Sequence, residues 1–568
     1  EQLSVDWFIC DGLRLKGQMA IVKGETSGEI YKSPFSAEFL KTTYNSESRV
    51  QEYLPIAERG YLSMTDGASF SYDGNVTLNY NTLVNENHII YAGAGLEVTQ
   101  NDNNSHGFIM TGFPDDRYSD PAFAIQYKKE TKPSSSESKS RAIGFFANGN
   151  YSYDDRYFAD VSVRIDGSSK FGADKKYAPF WSAGAGWNVH NEKFFKHTKI
   201  SMLKLRYSYG VTGNQEFSAY QAKTMFQFNT DRLYNSGISA ALMGYGNPDL
   251  EWQNQYQSNY GFDFGYAKDR IRLQFNYYQK KTEGMLTSVS VAPSLGLPSN
   301  TFTSNLGKIQ NKGVEVNLNA VLIRDQGKDF EWSVMLQAAH NKNKIMEIST
   351  ALKNINEKNN QDKTTPAAVY EEGESMSAIK AVPSLGIDPT TGQELFMKKD
   401  GTITYTWDAT DKVICGDSEP KVFGNVGTNL YWKGWNLNMV FKYDLGADYY
   451  NSTLAERVEG ANPRYNADRR VLNNRWKEPG QHALYKNIKE YTTTYISSRF
   501  VQKENTLQLT SLSLSYDLNR EWIRKFGLNT MRLSFYMNDV FRASTVKNER
   551  GLDYPFQRSF VFGLNIGF

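Results

Sequence analysis

Apolar and polar residues alternate with period two over ten-residue stretches that recur along the whole chain. This limits what the sequence can fold into more than any other feature. Tyr157, Ala159, Val161, Val163 and Ile165 fall on one side of a strand, and Phe158, Asp160, Ser162, Arg164 and Asp166 on the other. Val314, Val316, Leu318, Ala320 and Leu322 alternate in the same way with Glu315, Asn317, Asn319 and Val321. Ile271, Leu273, Phe275 and Tyr277 alternate with Arg272, Gln274 and Asn276; Met531, Leu533, Phe535 and Met537 with Arg532, Ser534, Tyr536 and Asn538. This is the pattern of antiparallel strands whose two faces meet different surroundings. About sixteen such strands are expected, each long enough to cross a bilayer when tilted. They lie at 13–22, 70–82, 88–98, 141–153, 156–166, 180–189, 202–210, 256–267, 270–279, 312–323, 330–340, 422–432, 435–446, 507–518, 531–541 and 559–568.

The connections between them sort by parity. Long ones lie near 23–69, 99–140, 211–255, 280–311, 341–421 and 447–506, and short ones at 83–87, 154–155, 268–269, 324–329 and 433–434. Two further connections on the short side, 190–201 and 519–530, have room for a helical turn. A water-soluble carbohydrate-binding β-protein has no reason to sort its loops in this way. A transmembrane antiparallel β-barrel does, with short periplasmic turns at one rim and long extracellular loops at the other. Phe560, Phe562, Leu564, Ile566 and Phe568 make one apolar face of the last strand. Trp181, Trp187, Tyr151 and Trp432 stand near strand ends, where interfacial girdles form. Composition agrees by exclusion. A formal charge of +2 leaves no footprint for nucleic acid, two cysteines make no disulfide scaffold, and 14% aromatics argue against disorder. No run of about eighteen apolar residues suggests a membrane helix.

One strand breaks phase. Leu507 and Leu509 share a face, but Leu512, Leu514, Tyr516 and Leu518 lie on the other, so a β-bulge is expected near Thr510–Ser511. Little points to catalysis or metal. Of His88, His106, His190, His197, His340 and His482, only His190 and His197 are close in sequence, and their spacing fits no zinc motif. Cys10 and Cys415 are expected near opposite rims and unbridged. The stretch 386–405 lacks the alternating ligands of a calcium loop and reads as a hairpin turning at Asp400–Gly401. The inner polar face, with Arg164, Arg272, Gln274, Asn276, Glu315, Asn317, Asn319, Arg532 and Asn538, suits a wet interior. Loop segments Tyr220–Asn229, Tyr449–Asn451 and Tyr465–Asn466 combine aromatics and amides, as sugar binding uses. No residue is singled out for substrate.

Several punctuating segments carry a resemblance. They are Asp166-Gly-Ser-Ser-Lys-Phe-Gly172, Leu203–Gln215, Asn247-Pro-Asp-Leu-Glu-Trp252, Asn311-Lys-Gly-Val-Glu315, Arg475-Trp-Lys-Glu-Pro-Gly480 and Met537-Asn-Asp-Val-Phe541. In order and spacing they resemble the SusC/RagA family of TonB-dependent outer-membrane transporters of Bacteroidota. The resemblance implies a barrel of roughly 22 strands around an N-terminal plug. It also implies a SusD-like lipoprotein lid, energy from TonB acting on the plug, and a possible dimer of the transporter–lid pair. Implied substrates are oligosaccharides and, less often, peptides, with no cofactor, no metal and no bond chemistry. Residues 1–568 then read as the C-terminal portion of the barrel, the plug and about six strands lying before residue 1. A passive diffusion porin complete in itself is the alternative. The importer reading predicts that the intact mass of the protein from its native membrane exceeds that of these 568 residues; an equal mass favours the porin.

Overall fold

A computed structural model describes the chain except for residues 45–48, 118, 173–174, 196–198, 215–218, 235–236, 291–300, 306, 349–352, 354–355, 358, 361, 365, 367–368, 463–466, 490–492 and 548–555. Among the described residues the main sheet has seventeen strands of eight residues or more, the sixteen expected and one more. They are β1 Gln2–Cys10, β2 Leu13–Lys32, β3 Tyr61–Val84, β4 His88–Thr111, β5 Ser134–Tyr153 and β6 Tyr157–Ser168. Then come β7 Tyr177–Asn188, β8 Ile200–Asn214, β9 Gln253–Tyr266, β10 Ile271–Glu283, β11 Lys308–Asp325 and β12 Phe330–Glu347. Last are β13 Val422–Trp432, β14 Trp435–Tyr450, β15 Val501–Asp517, β16 Thr530–Ser544 and β17 Phe560–Gly567. In β1, Leu3, Val5, Trp7 and Ile9 alternate with Ser4, Asp6 and Phe8, and the strand turns at Asp11–Gly12 into β2.

Two compact units divide the chain: Glu1–Tyr151, Val161–Trp181 and Gln215–Trp252 form one, and Ser152–Asp160, Ser182–Asn214 and Gln253–Phe568 the other. In the first, β1 pairs with β2, β2 with β3 and β3 with β4, all antiparallel. The β3–β4 hairpin stays in register from Val84–His88 to Tyr61–Thr111, 24 residues on each side. At about 3.3 Å per residue that is roughly 80 Å of strand, far more than a bilayer needs. Much of the expected loops near 23–69 and 99–140 is thus strand. The extensions carry Gly24, Thr26 and Gly28 opposite Ser69, Gly67 and Thr65 on one face, and Glu25 and Ser27 opposite Ala68 and Asp66 on the other, so the period-two signal fades where no hydrocarbon imposes it.

At the far end of the long hairpin, Leu62, Met110 and Phe113 form a small buried core, with Tyr31 edge-on to Phe113 at 5.2 Å. In the same unit, two of the punctuating segments dock on one another. Phe171 stacks on Trp252 at 4.3 Å, Leu250 is fully buried, and the Gly172 amide donates to the Leu250 carbonyl at 3.2 Å. Gly172 is required by close approach, since a Cβ there would overlap the Pro248 carbonyl.

In the second unit β8 to β17 pair antiparallel in chain order. Their short turns use left-handed residues: Lys268 and Asp269 have φ of 57° and 63°, and Lys433 and Gly434 of 47° and 87°. Such turns match the right-handed twist of hairpin strands. The longer connections carry helical turns as expected, at Val189–Asn191, Lys193–Phe195, and Arg520–Ile523 continuing into Arg524–Phe526. The bulge is also present. Register shifts on both sides of β15 at Thr510, whose hydroxyl donates to the Val440 carbonyl at 2.9 Å. Opposite it, Asp539 stands at φ 51° and accepts from Gln508 Nε2 at 2.7 Å, which accounts for the Asn-Asp pair of the Met537–Phe541 segment.

Gly172→Ala is expected to destabilise the docked segments by about 1–3 kcal/mol, the usual cost of overpacking. Protease cleavage between 240 and 252 should rise while heat-modifiable gel migration persists.

Candidate functional site

Cross-strand register assembles a wall that no single strand contains. Lys204 of β8 stands opposite Asp263, Asp263 opposite Gln274, Gln274 opposite Asn317, and Asn317 opposite Gln337. Gln337 stands opposite Asn425, Asn425 opposite Lys442, Lys442 opposite Gln508, and Gln508 opposite Arg542. Nine consecutive strands thus contribute one polar residue each, with four amides in a run at the centre. One residue further along, the row is Leu205, Phe262, Phe275, Val316 and Ala338, continuing through Gly424 and Tyr443 to Leu507 and Ala543. Successive side chains of a strand point to opposite faces, so these two rows are the wet and the greasy sides of one sheet. The apolar side is open to its surroundings: Leu205 and Leu507 each retain 43% of their exposure.

The wet side is cross-linked. Asn425 Nδ2 donates to Gln337 Oε1 at 3.2 Å, and Arg206 reaches over Gly261 to Asp263 at 3.0 Å and Asn276 at 2.8 Å. Toward the loop end, Tyr278 lies across Gly313, where a Cβ would overlap its ring, and its hydroxyl donates to Asn341 Oδ1 at 3.0 Å. Asn341 and Asn343 in turn donate to Asn311 Oδ1, and Asn341 to Glu419 Oε1 at 2.6 Å. The glycine and asparagine of the Asn311–Glu315 segment are therefore a groove and a hub for this network.

Above the wall, the loops 341–421 and 447–506 are held by a buried charge cluster. Arg499 donates to both oxygens of Glu459, at 2.6 and 2.8 Å, and to both oxygens of Glu394, at 3.2 and 2.8 Å. The Glu459 side chain is fully buried and that of Glu394 nearly so. Burial opposes the Arg499 charge, but the hydrogen bonds and field of the two glutamates outweigh it and hold its pKa above the ordinary value. Arg475 serves backbone: its guanidinium donates to the carbonyls of Val471, Val458, Glu459 and Lys486. Trp476 Nε1 donates to the Pro389 carbonyl at 2.8 Å, and the ring covers Gly392. The Arg475–Gly480 segment is thus a clasp between loops.

The stretch 386–405 forms a three-stranded sheet of Ser384–Ile387, Glu394–Met397 and Ile403–Thr404, turning at Asp400–Gly401 as expected. Asp388 is taken up by that sheet, accepting from the Thr390 amide and the hydroxyls of Thr391 and Tyr405. These bonds, the Thr390 amide foremost, lower its pKa to about 2. Among the described residues no group of three or more His, Cys, Asp or Glu is placed to hold a metal ion. Cys10 and Cys415 are free thiols. His190 Nδ1 lies 3.1 Å from the Leu203 carbonyl, and His197 is outside the described residues.

Residues 27–540 match the family model described as TonB dependent receptor-like, beta-barrel. The chain belongs to that family of outer-membrane receptors. It is 28% identical over 486 residues to TonB-dependent receptor P3 of Formosa agariphila, covering 77% of this chain and 46% of the relative. It is 24% identical over 452 residues to TonB-dependent receptor SusC of Bacteroides thetaiotaomicron, covering 75% of this chain and 44% of SusC. Among solved structures, the RagAB peptide importer in its closed-closed state matches with a TM-score of 0.82 and 22% identity, over 100% of this chain and 62% of that one. The SusC/RagA resemblance read from the motifs is thereby upheld. The chain spans about half the length of the curated relatives it matches.

The polar residues picked out in the sequence of this TonB-dependent receptor divide by what they meet. Gln274, Asn317 and Asn276 belong to the wall just described. Arg164 is bound to Glu97 at 2.8 Å and to Asp166, Arg272 to Asp269 at 2.7 Å, and Arg532 to Asp517 at 2.8 Å. Arg272 faces Asn319 across the strand pair and Asn276 faces Glu315, whereas Asn538 faces Ser511 beside the bulge. Asn451 is buried and pinned to Phe500, Gln502 and Leu454, so it supports loop structure. Tyr465 and Asn466 fall outside the described residues. Sequence inspection missed Gln337 and Asn425, which complete the amide run, and Gln508 further along the wall; only cross-strand register reveals them.

Arg499→Met is expected to strip the buried Glu394 of its cation and leave Glu459 with Lys486 at 3.9 Å, at a cost of about 3–5 kcal/mol, and to open both loops together to proteolysis. Acid should act on the small sheet through Asp388. Its pKa is depressed in the fold, so its contribution is complete above the ordinary aspartate range near about 4 and is lost as pH falls through about 2. Pepsin should therefore spare 384–406 at the upper end of that window and cut it at the lower, while Asp388→Asn is cut at both.

Proposed function

We propose that this receptor carries out TonB-dependent import of oligosaccharides across the outer membrane, together with a SusD-like surface lipoprotein. Peptides are the lesser alternative. The amide run Gln274–Asn317–Gln337–Asn425 carries the reading. Amides offer donor and acceptor on one uncharged group, which suits the paired lone pairs and protons of sugar hydroxyls and lets a neutral solute pass without being held by a fixed charge. The aliphatic and aromatic row on the opposite face supports residence in the bilayer. Specificity would then lie in the clasped loops and the lid, and energy would come from TonB acting on a plug. The protein performs no bond chemistry in this reading.

RagAB is described as a peptide importer, and at 22% identity its likeness to this chain is one of fold, so the substrate class is tested directly. The full-length receptor in its native host is expected to support growth on a defined oligosaccharide and to lose that support when TonB is removed. Asn317→Ala with Gln337→Ala should lower uptake by about tenfold, two hydrogen bonds at roughly 0.5–1.5 kcal/mol each, with receptor abundance unchanged. Uptake of oligopeptides but not oligosaccharides would transfer the proposal to peptides; uptake persisting without TonB would overturn it for a porin.

A further inference from the structure

We propose that the bilayer face of the first unit carries a seat for an outer-leaflet lipid with a phosphate-bearing head group and acyl chains. Two adjoining hollows on that face make the case. The lower one, about 330 Å³, is lined by Leu3, Val5, Met19, Val76, Leu96 and Val98 over a floor that includes Gly17 and Gly74. Register explains the depression. Leu3, Met19, Gly74 and Val98 form one cross-strand row, and Val5, Gly17, Val76 and Leu96 the next on the same face. One glycine interrupts each row, so the apolar surface sinks where its neighbours stand up. A side chain added at Gly17 would meet nothing within 4 Å. Leu3, Val5, Met19 and Val76 remain between 45% and 68% exposed, as hydrocarbon-facing residues should.

The hollow has a cationic end. A second hollow of about 320 Å³ shares Tyr72 and Val98 with the first and is closed by Arg141, Lys176 and Tyr177. Arg141 is built in. Its amide donates to Ser169 Oγ at 2.9 Å, and its carbonyl accepts from the Ser169 amide at 2.9 Å. Its Nε donates to the neutral side-chain oxygen of Gln100 at 2.8 Å, which orients the guanidinium and leaves its charge in place. Depth agrees with this polarity. Val98 lies ten residues beyond His88 at the turn end, about the length a tilted strand needs to cross the bilayer, which puts Arg141 and Lys176 at the extracellular interface. Gly17 lies four residues beyond Leu13, deep in the hydrocarbon band. The trough therefore descends from a pair of cations at head-group level into the apolar band. Guanidinium and ammonium groups bind phosphate, Arg through its planar fork. Acyl chains filling a glycine-floored trough gain van der Waals contacts on three sides that a flat apolar wall does not offer.

The test uses the full-length receptor purified from its native outer membrane in mild detergent, with bound lipid measured per protein by phosphorus content and mass spectrometry. Wild-type protein is expected to retain a phosphorylated, acylated lipid. Arg141→Gln with Lys176→Gln should lose most of it by removing the head-group contacts, and Gly17→Leu by filling the trough, while both variants keep heat-modifiable migration. Wild-type protein free of phosphorylated lipid would overturn the proposal. So would folded variants that carry as much as wild type, including a zwitterionic phospholipid indifferent to the two cations.

Discussion

A backbone amide has nothing to bond with in hydrocarbon except another part of the protein. A chain that crosses a bilayer as strands must therefore pair every strand with its neighbours along the whole crossing, and the rest of this structure follows from that demand. Pairing locks side chains to alternate faces, so the sequence must alternate between what lipid accepts and what water accepts. It also fixes which residues of neighbouring strands stand level. The amide row from Gln274 to Asn425 exists because the register sets four separate strands at one height. Shifting any of these strands by one residue would put its amide into the membrane and an aliphatic side chain into the interior.

The same demand explains what could be read from sequence alone. Inside the bilayer, one face of each strand must be apolar, and those stretches are legible one strand at a time. Even the bulge at Thr510 shows, because a run of leucines changes sides across it. Above the bilayer the demand lapses. The upper halves of β2, β3 and β4 remain paired strands, but Gly, Ser, Thr and Asn serve equally well on both faces, and they read as loop. The first strand escaped notice for a different reason: its polar face includes Phe8 and Cys10, which blur the alternation.

Contacts between distant segments were not legible at all. Glu394 and Arg499 are 105 residues apart in sequence, and neither looks unusual in its own neighbourhood. The punctuating motifs were visible as strings but not as objects. In the fold they are fittings that close on backbone: Phe171 and Gly172 against the Asn247–Trp252 turn, Gly313 beneath Tyr278, Arg475 gathering four carbonyls. Their residues serve architecture, which is why they mark the fold family and say little about cargo. The amides that line the wall carry no motif, since any strand can supply an asparagine or glutamine at the required height.

The Arg499 joint has a consequence for how such a receptor can change over generations. Its two carboxylates come from different loops, and losing the arginine strands Glu394 in a dry interior while Glu459 keeps only Lys486 at 3.9 Å. The loops are thus tied into one heritable block: a drift in either is tolerated only around the four ionic positions, Lys486 included, and a new specificity must arrive as sequence grafted between them or as replacement of both loops at once.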